Sequence, residues 1–301
     1  KKNKASFIIP ARRTYADVFL KLYSDPGIRD NKLYFYDLNA KVNVDAGPKD
    51  KFFLSGYFGR DVVGLGTTLG IDWGNATGTA RWNHVYAPRW FSNTSFIFSN
   101  YNYGVAFKTD AHDFSITSVV RDLNLTHELS FYPSPGSKWK VGFSSIRHTI
   151  TPGKVESSGT SGVNAFSIQD QYTWENALFA SWDKTVTDRL TMSVGLRASA
   201  LSVLGKAEFY TFDPEGEVTT TSIYGNGQIV KTYVNPEPRL SFSYLTNEFS
   251  SVKGSYARMT QNMHLLSNST SGNPTDRWIG TSNIIQPEIG DQVSGGYFRK
   301  L

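Results

Sequence analysis

Apolar and polar residues alternate along most of this chain, and the longest uninterrupted run covers 171–200. In its second half Leu190, Met192, Val194, Leu196, Ala198 and Ala200 alternate with Thr191, Ser193, Gly195, Arg197 and Ser199. In its first half Tyr172, Trp174, Leu178, Ala180 and Trp182 share a face that is broken by Asn176, and the polar stretch 183–189 lies between the halves. A period of two belongs to a strand with one apolar side, so the run predicts two long strands joined by a polar turn. Strands of soluble sheets are commonly about 5–6 residues long. These continue for about ten or more, the length that carries a tilted strand across a bilayer. Tyr172, Trp174 and Trp182 lie toward the ends of the apolar face, where an aromatic girdle would sit.

The same alternation recurs at 34–44, 52–58, 74–82, 94–98, 123–131, 139–143, 240–244, 252–256 and 289–297. A weaker strand at 7–15 is interrupted by Pro10, which cannot donate to a ladder. Loops are expected at 64–70, 103–112, 151–164, 203–233 and 262–280, with Tyr224-Gly225-Asn226-Gly227 a local hairpin signal inside the fourth. The result is about twelve strands in up–down pairs. Turns near 47, 88, 134, 186 and 247 are short, and most connections at the opposite end are longer. No segment carries a helical stripe. Long strands, end-of-strand aromatics and alternating loop lengths together predict an all-β fold, an antiparallel transmembrane β-barrel, as one domain over 1–301.

Charge sharpens this picture. Arg12, Asp37, Lys41, Arg81, Asp122, Glu128, Lys140, Glu175, Arg197, Arg239, Lys253 and Glu288 all fall on the polar face, the side that would line a lumen. Arg13, Arg147, Arg258 and Asp291 fall on the apolar face, but toward the long-loop ends, where a charge facing lipid costs least.

Composition excludes several alternatives. The 301 residues contain no cysteine, so there is no disulfide scaffold and no thiolate metal site. Mean hydropathy is −0.35, and no apolar run approaches the ~18 residues of a membrane helix. A barrel escapes that test, because its lumen-facing residues dilute every window. Net charge is +5, with Lys and Arg interspersed among Asp and Glu, whereas a nucleic-acid partner calls for a concentrated basic patch. No signal peptide begins at Lys1, so the first residue reads as a mature or internal start.

No catalytic constellation stands out, and no cofactor is expected. His84, His112, His127, His148 and His264 lie in different segments without metal-ligand spacing and read as surface or girdle residues. The loop 264–278 holds Asn268, Asn273, Asp276, Arg277 and Trp278. Amides, charge and a ring in one loop suit a sugar or peptide substrate, and equally suit a packed loop.

Several stretches resemble barrel segments of TonB-dependent receptors. They are Ala11-Arg12-Arg13-Thr14-Tyr15, Leu33-Tyr34-Phe35-Tyr36-Asp37-Leu38-Asn39, Pro236-Glu237-Pro238-Arg239-Leu240-Ser241, and Gly254-Ser255-Tyr256-Ala257-Arg258-Met259-Thr260-Gln261 leading into His264-Leu265-Leu266-Ser267-Asn268. The resemblance covers most of the chain and is to the large receptors with an N-terminal carboxypeptidase-like domain. It implies a 22-stranded, plugged barrel, of which this chain, without a plug domain, a TonB box or a terminal aromatic-ended strand, resembles a middle slice. It further implies residence in the outer membrane, lipid on one face and a plug against the inward charges. Extracellular loops would capture a nutrient whose import is energised through TonB, and a surface lipoprotein is left open as a further partner. Two other readings stay open: a complete small barrel acting as a passive pore or hydrolase, and a soluble β-rich surface binding module.

Overall fold

The structure, a computed structural model, describes residues 4–109, 113–157, 164–267 and 276–300. The chain begins with β1 (Ala5–Ile8), β2 (Ala11–Arg13), α1 (Ala16–Leu20) and α2 (Pro26–Arg29). Then come β3 (Lys32–Asp45), β4 (Asp50–Leu65), β5 (Leu69–Ala87), β6 (Trp90–Lys108), β7 (Asp113–Ser134) and β8 (Ser137–Ser157). After the short β9 (Phe166–Ser167) follow β10 (Gln171–Thr187), β11 (Leu190–Leu204), β12 (Ala207–Phe212), β13 (Val218–Tyr224) and β14 (Ile229–Asn247). The chain closes with β15 (Ser250–Gln261), β16 (Met263–Leu266), β17 (Arg277–Gly280) and β18 (Glu288–Arg299).

One antiparallel meander dominates, in the order β1-β3-β4-β5-β6-β7-β8-β10-β11-β14-β15-β18, with β2 on β3 and β9 on β8. Among the described residues β1 and β18 are its two ends, and no helix is long and apolar enough to cross a membrane. The registers join the alternation of separate strands into continuous lanes. One runs Val44–Phe52–Trp82–Thr94–His127–Phe143–Leu178–Ala198–Pro236 across nine strands. Leu178 in this lane is 70% exposed and Phe52 42%, so the lane is an outer surface, not a core. A neighbouring lane on the other face runs Asn83–Asn93–Glu128–Gly142–Phe179–Arg197–Glu237.

Rings mark the short-turn end of the apolar face. Phe52 stacks on Trp82, Trp90 on Phe131 at 4.1 Å, and Trp139 on Trp182 at 5.3 Å. An indole or phenol placed there has an apolar body for lipid and a polar edge for water. The five short turns lie where alternation stops. At the β7–β8 turn Gly136 has φ +74°, a conformation that glycine adopts without a Cβ clash.

Strand runs into four of the expected loops. Only 66–68 separate β4 from β5, β6 runs to Lys108, β8 to Ser157, and β14 starts at Ile229. The physical reason is that a strand shows an apolar stripe only where one face meets lipid. Strands β5 to β8 have 19, 19, 22 and 21 residues, about twice what a bilayer crossing needs. Their upper halves keep the ladder but lose the stripe. The hairpin signal at 224–227 is a turn of another kind. β13 pairs with β12, and the turn is pinned to Gly205, whose N–H donates to the Gln228 carbonyl while its own carbonyl accepts from Gly227.

In these upper halves the buried apolar residues change sides. Tyr103, Val120, Ile150, Leu201 and Val203 are nearly inaccessible and share a face with the charges below them. The small β16–β17 hairpin lies over part of this face. β17 packs on β7, β8 and β10, and the Gly280 position lies against Ile150 and Thr173.

Candidate functional site

The polar face is built by strand parity. Residues two apart along β10, β11 and β14 project to one side, which brings Glu175, Arg197, Glu237 and Arg239 into one network. Arg197 donates to Glu175 at 3.0 Å and to the Ser144 hydroxyl at 3.2 Å, and its Nε lies 3.6 Å from Glu237. Ser199 donates to Glu237 at 2.9 Å, and Arg239 approaches the second Glu237 oxygen at 3.5 Å. Asn262 reaches across 87 residues of sequence to donate to Glu175 at 2.7 Å. Glu237 is buried, and three donors surround its carboxylate, which is how a charge out of water is tolerated.

The other charges expected on this face are found there, most with a partner within the wall. Arg12 pairs with Asp37 and lies over the Phe35 ring. Lys140 donates to Glu128 at 3.2 Å. Arg81 covers Phe53, and Lys253 covers Phe298, each at 4.7 Å. Asp122 is bonded to His148 Nδ1 at 2.7 Å, and Glu288 to His264 Nδ1 at 3.0 Å. Lys41 shares the face through its pairing with Ser55. On the opposite face Arg13 stacks on Tyr34, and Arg258 makes a two-pronged pair with Asp291.

Two histidines correct the sequence reading. His148 and His264 are buried on the polar face beside carboxylates, not at the surface or in a girdle. His84 fits the girdle reading, lying between Trp82 and Tyr86 and bonded to Asp50. His127 stacks on Phe143 in the apolar lane, and His112 lies outside the described residues. Among the described residues no three His, Cys, Asp or Glu side chains gather as a metal site.

The described flanks of the segment read as a substrate loop, β16 and β17, pair with each other and pack on the sheet. Asn268 and Asn273 lie outside the described residues. Asp276 is buried at the start of β17, and Arg277 and Trp278 are half-buried within it, paired with Leu266 and Leu265. Four bonds hold the hairpin in place. Gly280 N–H donates to Gln171 at 2.7 Å, His264 bridges Glu288 and Thr281, and Asn262 holds Glu175.

Sequence reasoning missed Glu237, Asn262, Ser144 and Ser199 as network members. For Glu237 the signal was present, since it lies two residues before Arg239 in the same alternation. For Asn262 there was none, because only the folded hairpin brings it to Glu175.

No family model matches the chain, and no curated protein matches it in sequence. The fold has clear counterparts. The copper transporter OprC superposes with a TM-score of 0.68 at 9% identity, over 97% of this chain and 46% of its own. The Serratia marcescens hemophore receptor HasR, solved as a double mutant with its hemophore HasA and heme, gives 0.62 at 12%, over 99% and 47%. The ferric-catecholate import receptor Fiu from Escherichia coli K12 gives 0.59 at 14%, over 99% and 52%. The chain spans about half the length of these solved chains.

Proposed function

We propose that this chain, folded as part of a TonB-dependent receptor barrel, forms wall and loops of an outer-membrane nutrient receptor. The observation that carries the reading is the pairing of two unlike faces on one sheet. One face is exposed, apolar and edged by stacked rings. The other is charged, internally paired and covered at its upper end by a hairpin. A soluble sheet that exposed Phe52, Leu54, Leu178, Leu196 and Val293 together would aggregate, whereas lipid accepts them.

In this reading the polar face meets a plug. Its pre-paired charges offer hydrogen-bonding edges without the cost of a bare buried ion. The loops above, including the β16–β17 hairpin with Asp276, Arg277 and Trp278, contact substrate. A siderophore, an oligosaccharide, a peptide and cobalamin are the candidate cargoes. The chain acts as a transporter, without catalysis of its own.

Uptake in cells tests this. Deleting the gene should slow growth on a limiting, bulky nutrient. Restored uptake should collapse when TonB is removed or the inner-membrane proton gradient is dissipated. Open-channel conductance from the full-length protein in planar bilayers, with uptake indifferent to TonB, would establish a passive pore instead.

A further inference from the structure

Three connections meet at the long-loop ends of β10 and β11 and enclose a cavity of about 200 Å³. They are segment 168–170 before β10, the β12–β13 hairpin and segment 281–284 after β17. Bonds between them fix the walls. Gln169 and Glu208 exchange two bonds through the Glu208 backbone, at 3.1 and 3.0 Å. Asn283 donates to the Tyr210 carbonyl at 2.8 Å, and the Tyr233 hydroxyl donates to the Ser282 carbonyl at 2.8 Å. These clamps use side-chain amides, the Tyr233 phenol and backbone groups, and none uses a carboxylate.

The lining has a definite chemistry. Asp170 and Glu208 are the acidic residues of the lining; Glu208, Tyr210 and Phe212 share one face of β12, Phe209 lies on the other, and Tyr172 adds a further ring. No lysine or arginine is among the described lining residues; the Lys231 ammonium donates to the carbonyl of the lining residue Asn283 at 3.0 Å. Thr151 and Tyr172 donate to Asp170 at 2.8 and 3.3 Å, and Tyr210 donates to Glu208 at 2.8 Å. These donors orient the carboxylates and leave lone pairs on each. The Glu208 bond also holds the Tyr210 phenol above its usual range. Carboxylates beside ring-bearing residues at the mouth of a mainly apolar cavity favour a cation on an apolar stem, through ring faces and charge-assisted hydrogen bonds together. Its volume is below that of a drug-sized site, about 300 Å³ and upward, and suits one side chain or one sugar ring.

We propose that this three-loop cavity binds a primary ammonium group carried by a small ligand, either the basic side chain of a peptide or an amino sugar. Binding itself is independent of transport. Its use in substrate capture rests on the receptor reading.

Calorimetric titration of the full-length protein in detergent tests it, with trilysine, glucosamine and their N-acetylated forms as probes. At least one amine-bearing probe should bind, with its acetylated form weaker by about tenfold or more. Trilysine alone would identify a peptide source, glucosamine alone an amino sugar. Glu208→Gln and Asp170→Asn should each weaken binding by about tenfold, while heat-modifiable gel migration verifies that the variants fold. No binding by either amine, equal binding of the acetylated forms, or unchanged affinity in both variants would overturn the proposal. Amine binding without TonB-linked uptake would overturn the receptor reading alone, and TonB-linked uptake without amine binding would overturn the cavity alone.

Discussion

Glu237 illustrates how single residues are held on the polar face. It is buried and has Arg197, Arg239 and Ser199 around its carboxylate. Glu237→Gln keeps the shape and removes the charge, so it should cost about 1–2 kcal/mol, because two arginines lose their shared partner. The more exposed pair Lys140–Glu128 is screened by water, and Glu128→Gln should cost at most about 1 kcal/mol. Urea midpoints in detergent would read both. In α1, outside the strands of the sheet, Asp17 accepts from Arg13 at 2.7 Å, and the guanidinium holds its carboxyl below the usual carboxylate range. A depressed value means that the contribution is fully present above the ordinary value of about 3.9 and fades as pH falls through the lowered one. Amide protection across 16–22, corrected for intrinsic exchange, should therefore drop in that acid window. Asp17→Asn should abolish the step.

At the scale of elements, several of the long strands have two storeys. The lower storey, about ten residues above each short turn, presents apolar side chains to lipid and rings to the interface. In β6, β7, β8 and β11 the upper storey keeps its ladder but turns apolar residues inward, and Ile150 is buried against β17. A charge should therefore be tolerated differently by storey and face. Leu196 is 53% exposed near mid-span of β11, and Leu196→Arg should destabilise by about 2–4 kcal/mol. Thr191→Arg, on the polar face, should cost much less. Reversible unfolding in lipid vesicles measures the difference, and equal costs would contradict the lipid assignment of this face.

At the scale of the whole molecule, β1 and β18 are the ends of the sheet among the described residues. Open edges are not tolerated in hydrocarbon, because each unpaired backbone group there costs several kcal/mol. These 301 residues refolded alone in detergent should thus fail to give a fast-migrating band that shifts on boiling, and should aggregate in water. The full-length protein should give the shift. A heat-modifiable band from these residues alone would mean that they close a barrel by themselves, as the small-pore reading requires.

The sequence by itself determined which side chains share a face, where the short turns fall and roughly how many strands there are. It could do so because, inside a membrane, the contrast between lipid and lumen is written into every second residue. The alternation at 190–200 places Arg197 opposite Leu196 whatever the rest of the chain does. The tertiary structure decided what alternation cannot encode. Above the bilayer both faces leave lipid, the stripe fades, and strand resembles loop, as at 103–108 and 151–157. The inward hairpin, the buried His148 and His264 and the three-loop cavity depend on partners distant in sequence. Gln171 and Gly280 lie 109 residues apart and meet at 2.7 Å, a contact that only the folded sheet creates.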